Sequence, residues 1–340
     1  MMTLLIAKIC YFLQLHRLAY FLNRNRKRLI TFHNVLTDDV FVNNVANGVS
    51  CSLSCFKTII EEISRYFDFS LNLDDAKTVT ITFDDGYRNQ VEIVAPYLMS
   101  KGIPAYIFVS GQLLPPDEDA ISGRNETARP LTIDLLLHWV SYAPNGEYDL
   151  YFAGKKHFFQ LFDHNRQQIW SSVLWPAFLN DSDSKGVALL DVLDSAYPIS
   201  AILKELPEKY VAQRLGCVLV KQLDELRSKG WEIGWHTYSH YPLSKLTYEE
   251  KVLELISDKR CTSKVLSFPY GGPQEVDKDC LEIAQFQNYS TAVSNVNIAT
   301  DLTGVWFRSR MALSSNPILL HFELSGLKHL IKYRKLLPKI

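Results

Sequence analysis

The sequence predicts an α/β chain, a (β/α) barrel interrupted by one large insertion, and three observations predict it. Short apolar runs at 29–32, 79–83, 105–109, 231–235, 265–268 and 305–307 have the length and composition of buried strands. Helical patterns at 55–67, 89–101, 248–257 and 278–285 separate them, and strand–helix–strand alternation in this number leads to a parallel sheet curled into a barrel. Two clusters of acids and histidines each follow directly on an apolar run. In barrels of this kind the C-terminal strand ends are where chemistry is assembled.

With 340 residues, 47% of them hydrophobic, the chain can bury one large core, and it carries no low-complexity tract. A net charge of −1 gives no basis for nucleic-acid binding. The six cysteines are scattered, and Cys51 and Cys55, the nearest two, do not form a CxxC pair. Reduced thiols and a cytoplasmic location are therefore expected, with the inner membrane face as a place of peripheral contact.

In chain order, residues 1–28 come first. They are apolar but interrupted by Lys8, His16 and Arg17, with no cleavage site, so they suit neither a signal peptide nor a membrane span. They read as an amphipathic helix with a basic end, Arg24, Arg26, Lys27 and Arg28. Two places are open to it first, an anionic membrane surface and the barrel's exterior, and a signal anchor is the third reading. Residues 29–111 supply the first part of the barrel. The region 112–226 breaks the alternation: a polar entry at 115–130 reads as a loop or mobile lid, and a hairpin follows with Ala153-Gly154 at its turn. Helical patterns at 166–177 and 208–226 come next. A structureless loop of this length would be anomalous, so an inserted subdomain walling a groove is expected. Its tryptophans Trp139, Trp170 and Trp175 read as core. Residues 227–320 complete the barrel, and 321–340 form a terminal helix.

The chemistry is concentrated in TVTITFDDGY and WEIGWHTYSH. The first ends a β-branched run in the adjacent carboxylates Asp84 and Asp85; the second ends a strand in His236, with His240 four residues on. Alone, an Asp-Asp pair is a turn or cap and an HxxxH is two solvated histidines. Their shared position after strands favours a metal site of two imidazoles and one carboxylate, with the other carboxylate free to act as a base.

These motifs resemble those of the metal-dependent polysaccharide deacetylases, carbohydrate esterase family four. TFDDGY resembles the family's first motif, HTYSH its second, and SFPYGG at 267–272 its third. ITFHNVLTDD at 30–39, GIPAYIFVSG at 102–111 and WFRSRMAL at 306–313 extend the resemblance. It implies an irregular barrel of fewer than eight complete units. It also implies Asp84 as general base, a divalent metal on Asp85, His236 and His240, and the Tyr270 backbone N–H as oxyanion donor. Pro269, Tyr270 and Leu243 would contact substrate. For the general acid the resemblance offers two histidines. His33, in the branch with a histidine at the first strand end, is favoured over His321, whose segment reads as a terminal helix. The arginine that often opens the third motif is missing, since Leu266 or Ser267 stands there. Arg310 is expected to orient the base instead, with Arg308 the alternative.

The expected substrate is an N-acetylated (or O-acetylated) sugar of a surface polysaccharide or its lipid-linked precursor. Zinc suits the ligand set, and cobalt, nickel or manganese also fit a mixed N/O site. Two other readings compete: hydrolysis of a small amide or cyclic ureide on the same fold, and a carbohydrate-binding relic without activity.

Overall fold

Seven short parallel strands follow one another around a barrel in chain order: β1 (Arg28–Phe32), β2 (Thr78–Phe83), β3 (Ala105–Val109), β4 (Glu232–Trp235), β5 (Val265–Ser267), β6 (Thr291–Ser294) and β7 (Phe307–Ser309). The computed structural model describes residues 2–115, 128–272, 274–295, 307–314 and 316–333. Beyond β7, Met311 returns to β1: its N–H donates to the Leu29 carbonyl at 2.8 Å, and the Thr31 N–H donates to its carbonyl at 3.0 Å. The ring is thereby nearly closed with fewer than eight strand–helix units, as expected. Helices cover the outside, so β1 and β3 are buried along their whole length rather than alternately.

The helix Leu53–Ser64 shows why the outer layer forms. Phe56, Ile59, Ile60 and Ile63 make one apolar stripe that is buried against the barrel, and the Ser52 hydroxyl caps the start by accepting from the Cys55 N–H. The helical pattern at 89–101 is realised in two pieces, a π-turn at Gln90–Val94 and a helix Ala95–Ser100. Pro96 explains the break, because a proline lacks the N–H that an α-helix would bond to the residue four before it. The same device recurs at Trp170–Leu174, ahead of Pro176.

Within the inserted region, Gly146–Phe152 and Lys155–Leu161 form an antiparallel hairpin. Ala153 and Gly154 at its tip have φ of 50° and 72°, the left-handed pair that a two-residue turn requires. The pattern at 208–226 divides into Glu208–Arg214 and Val220–Ser228. Residues between them dock on the barrel instead, where the Arg88 N–H donates to the Gly216 carbonyl at 2.8 Å. Trp139 is fully buried in the core. The polar entry read as a lid lies largely at 116–127, outside the described residues.

The N-terminal segment is two helices rather than one, α1 (Met2–Phe12) and α2 (Leu15–Leu22), bent by 89°. No single helix among the described residues is long and apolar enough to cross a membrane. The expected basic end is also only half right. Arg28 is buried and donates to the carbonyls of Asn23, Arg26 and Leu324, while Lys27 pairs with Asp74. Arg24 and Arg26 alone of the four stay available to a surface.

Candidate metal centre

Adjacent carboxylates at a buried strand end repel unless the backbone separates them. Here Asp85 adopts φ 77° and Gly86 φ 89°, so the chain turns left-handed immediately after β2. A Cβ on residue 86 would stand 2.6 Å from Val109 Cγ1, which leaves only glycine at this turn. The two side chains then enter different environments.

Asp84 meets cations and hydroxyls. Arg310 grips it with both ends of its fork, Nη1 to Oδ1 at 2.7 Å and Nη2 to Oδ2 at 2.6 Å. Ser267 Oγ donates to Oδ1 at 3.0 Å and Thr31 Oγ1 to Oδ2 at 3.3 Å. His33 Nε2 stands 3.7 Å from Oδ2. Burial alone would raise this carboxyl, but the Arg310 charge, helped by His236 and His33, holds it down at about 2. Asp84 is therefore a carboxylate at every working pH.

Asp85 faces histidines. Its Oδ1 lies 3.1 Å from His240 Nε2 and 3.4 Å from His236 Nε2, and the three ligand atoms all fall within 4.8 Å of one another. His236 Nδ1 is 2.7 Å from the Ser267 carbonyl, which requires the proton on Nδ1 and turns a bare Nε2 toward the site. Asp85 Oδ1 and His236 Nε2 are buried with no hydrogen-bond partner among the described residues. Buried polar atoms left facing one another are expensive, and a cation between them satisfies both. Two imidazoles and a carboxylate thus fit a divalent metal. Thr237, His240 and Tyr270 share the left-handed φ of Asp85, at 65°, 56° and 56°. Each is a strained conformation held by its surroundings, and their clustering here marks a functional site.

His33 is the most solvent-accessible of the three histidines, with 18% of its side chain exposed. Burial nevertheless lowers its pKa; Asp85 and Asp84 pull it up, and Arg310 and His236 push it down. His321 lies elsewhere, in the helix Pro317–Leu324, with Nδ1 3.0 Å from Tyr20 Oη and the ring stacked on Tyr11. It packs the N-terminal pair against the barrel. Arg308 pairs with Asp74 and does not reach Asp84. Tyr270 stands beside His240 at 4.8 Å between ring centroids, and its backbone N–H has no acceptor among the described residues. Pro269 is buried. Leu243 is 1% exposed and packs in the core.

Several residues that touch the site were not legible in the sequence. Ser267 stands where the expected arginine is missing; it donates to Asp84, accepts from Arg310 Nη2 at 2.9 Å, and its carbonyl orients His236. Gln90 Nε2 donates to the carbonyls of both His33 and Asp84, tying the two strand ends together. Glu254 accepts from the backbone N–H groups of Tyr238 and Ser239 at 2.9 and 2.8 Å, and so holds the loop between the two histidines. Trp175, read as core, packs its ring 5.2 Å from that of Tyr270 and so forms part of the wall. Apart from Ser267, which opens the SFPYGG stretch, none of these lies in a motif, and only the fold brings them in.

Residues 72–127 match the polysaccharide deacetylase family model, a stretch that contains Asp84 and Asp85. No curated protein matches the sequence. Among solved structures the chain is similar to the Streptococcus pyogenes deacetylase PplD in complex with acetate, at 14% identity over 85% of this chain and 93% of that one, with a TM-score of 0.47. It is similar to IcaB from Ammonifex degensii at 14% identity, over 88% and 97% of the two chains, TM-score 0.45. BC0361, a polysaccharide deacetylase from Bacillus cereus, is similar at 13% identity over 88% and 68%, TM-score 0.46.

Proposed function

We propose that this chain is a metal-dependent deacetylase hydrolysing the N-acetyl, or O-acetyl, group of a sugar in a surface polysaccharide or its lipid-linked precursor. One observation carries the reading: a carboxylate locked in its charged form stands one residue from a ligand cradle whose facing atoms include buried, unpartnered ones. The family model over 72–127 and the three motifs support the reaction class.

Asp85, His236 and His240 would hold the ion, with zinc the first choice and cobalt, nickel or manganese as alternatives. When bound, such an ion polarises an acyl oxygen and lowers the pKa of water from about 16 to about 7. That acidification matters because Asp84, held at about 2, is too weak a base for ordinary water. Its Oδ1 accepts from Arg310 and Ser267 within 3.0 Å, whereas Oδ2 accepts from Arg310 at 2.6 Å and only at 3.3 Å from Thr31, and it faces His33, so Oδ2 is the atom with more capacity for a proton. A proton gained there lies beside the imidazole that must protonate the leaving amine. Arg310 favours its return, because the charged carboxylate is the form that the guanidinium stabilises. The Tyr270 N–H would receive the developing oxyanion, a contact typically worth ~10²–10³ in rate.

The test is elemental analysis together with acetate release from N-acetyl sugar oligomers and lipid-linked N-acetyl sugars. Asp85→Ala, His236→Ala and His240→Ala should each lose the ion and the activity, while Asp84→Asn keeps the ion and loses only activity. Full metal occupancy in His236→Ala would overturn the ligand set. A metal-loaded protein that releases acetate from none of these sugars would shift the reading to small amides or to a sugar-binding protein.

A further inference from the structure

A helix on a protein surface ordinarily turns its bulky apolar side chains inward, and α1 and α2 turn most of theirs outward. The fully buried residues facing the body are small or polar, Ala7, Cys10, His16 and Ala19, with Ile6 and Tyr20 packed half-buried beside them. Leu5, Ile9 and Phe12 of α1 and Leu18 and Phe21 of α2 point outward, and Phe12 is 86% exposed. Their spacing places them on one face of each helix. The cluster that attaches the pair to the helices Pro317–Leu324 and Leu327–Tyr333 includes none of these five. Folding leaves them unused, and an apolar surface of this extent marks a site of interaction.

Charge indicates the kind of partner. Residues 1–37 contain no aspartate or glutamate, and Lys8, Arg17 and Arg24 are exposed on or beside the apolar ledge. At the bend lies a cavity of about 540 Å³ lined by Lys8, Tyr11, Phe12, His16, Arg17 and Tyr66 among others. His16 is 6% exposed, and its Nδ1 is buried without a hydrogen-bond partner among the described residues. Two cations and an unsatisfied ring nitrogen, with no carboxylate in the lining, are suited to a phosphate. The projecting apolar side chains around them are suited to acyl chains.

We propose that the bent N-terminal pair docks on an anionic lipid bilayer, with its apolar face in the acyl boundary and a lipid phosphate in the cavity at the bend. The cytoplasmic leaflet of a membrane is a surface of this chemistry. The position on the barrel agrees with it. α2 leads into the start of β1, and Tyr20 stacks on Tyr66 just past the C-terminal end of the helix Leu53–Ser64, whereas the catalytic side chains follow the strand ends. Docking there leaves the mouth of the barrel open to a long substrate. The inference is independent of the reading of the metal centre.

The test is co-sedimentation of the full chain with phosphatidylcholine vesicles, with and without anionic phospholipid, at low and high salt. Binding should require the anionic lipid and weaken with salt. Phe12→Asp should lower partitioning by about tenfold or more, and Lys8→Gln with Arg17→Gln should lower it severalfold and flatten its salt dependence. All three positions are exposed, and an unchanged thermal melt establishes that each variant is folded. Wild-type protein that stays in the supernatant with every lipid, or Phe12→Asp that binds like wild type, overturns the proposal. So does a lipid-free dimer that Phe12→Asp dissolves while vesicles go unbound, since the ledge is then a contact between copies. Inorganic phosphate bound at the bend without any vesicle binding overturns it equally.

Discussion

Asp84 can remain charged without contact with water because Arg310 neutralises it from within the same core. The guanidinium is itself fully buried, so neither member of the pair can be removed alone without leaving an uncompensated charge. Arg310→Met is expected to destabilise the protein by about 3–5 kcal/mol, read by denaturant unfolding. Adding Asp84→Asn to that variant should restore much of the loss while leaving the protein inactive. A single variant as stable as wild type would mean that the fork is not what neutralises Asp84. At the same scale, the proton-donor assignment separates two histidines. His33→Ala should lose most turnover on an N-acetyl sugar, yet recover more than Asp84→Asn on an activated acetyl ester, whose leaving group needs little protonation. His321→Ala, remote from the centre, should keep most activity; the opposite pattern would exchange the two roles.

At the level of elements, the loop between His236 and His240 is held from outside the motif. Glu254, on the helix Tyr248–Leu255, accepts its two backbone N–H groups and is paired at 2.8 Å with Lys185 of the inserted region. The insertion is joined to the barrel a second time near Asp85. There Asp134 accepts from Tyr87 Oη and Arg214 Nη2, both at 2.7 Å and all buried. The insertion thus buttresses both halves of the ligand set rather than standing apart as a separate wall. Glu254→Gln keeps the shape but weakens the hold on the loop. It should reduce metal affinity by roughly 10–100-fold, measured by chelator competition, with little change in the melt. Unaltered affinity would make Glu254 a helix-packing residue only.

Stability of the whole molecule should fall in mild acid, and His138 supplies one reason. It is fully buried with Nδ1 2.6 Å from the Asp134 carbonyl, and burial, reinforced by the Arg214 charge, lowers its pKa to about 3. Below the unfolded value of about 6.5 the unfolded chain takes up a proton that the folded chain refuses. Stability is therefore lost progressively as pH falls from there toward 3, by up to about 1.4 kcal/mol per pH unit from this group. Asp84 adds a second, lower window of the same sign. Its folded value of about 2 lies below an unfolded value of about 3.9, so its contribution is present above that value and disappears as pH falls through 2. His240 acts in the opposite sense, because Asp85 outweighs the effect of burial and raises its pKa in the metal-free chain. Unfolding free energies of His138→Gln between pH 6.5 and 4.5 should fall less steeply than those of wild type, and equal slopes would exclude the assignment.

What the sequence by itself determined is what depends on neighbours along the chain. Strand–helix alternation, the Ala153-Gly154 turn and the placement of Asp84, Asp85, His236 and His240 after strands are all written in local periodicity and turn chemistry. β6 is not legible because only two of the four residues of TAVS are apolar, and the π-turns are not legible because Pro96 and Pro176 interrupt an otherwise continuous helical pattern without specifying how the backbone bypasses them. Only the tertiary structure decided how Thr31, Asp84, Ser267 and Arg310 meet, since they sit on four different strands or strand ends that become neighbours when the barrel closes. The same holds for the N-terminal segment. Its sequence is amphipathic in either orientation, and which face turns outward is set by the space that small residues such as Ala7 and Ala19 leave against the body.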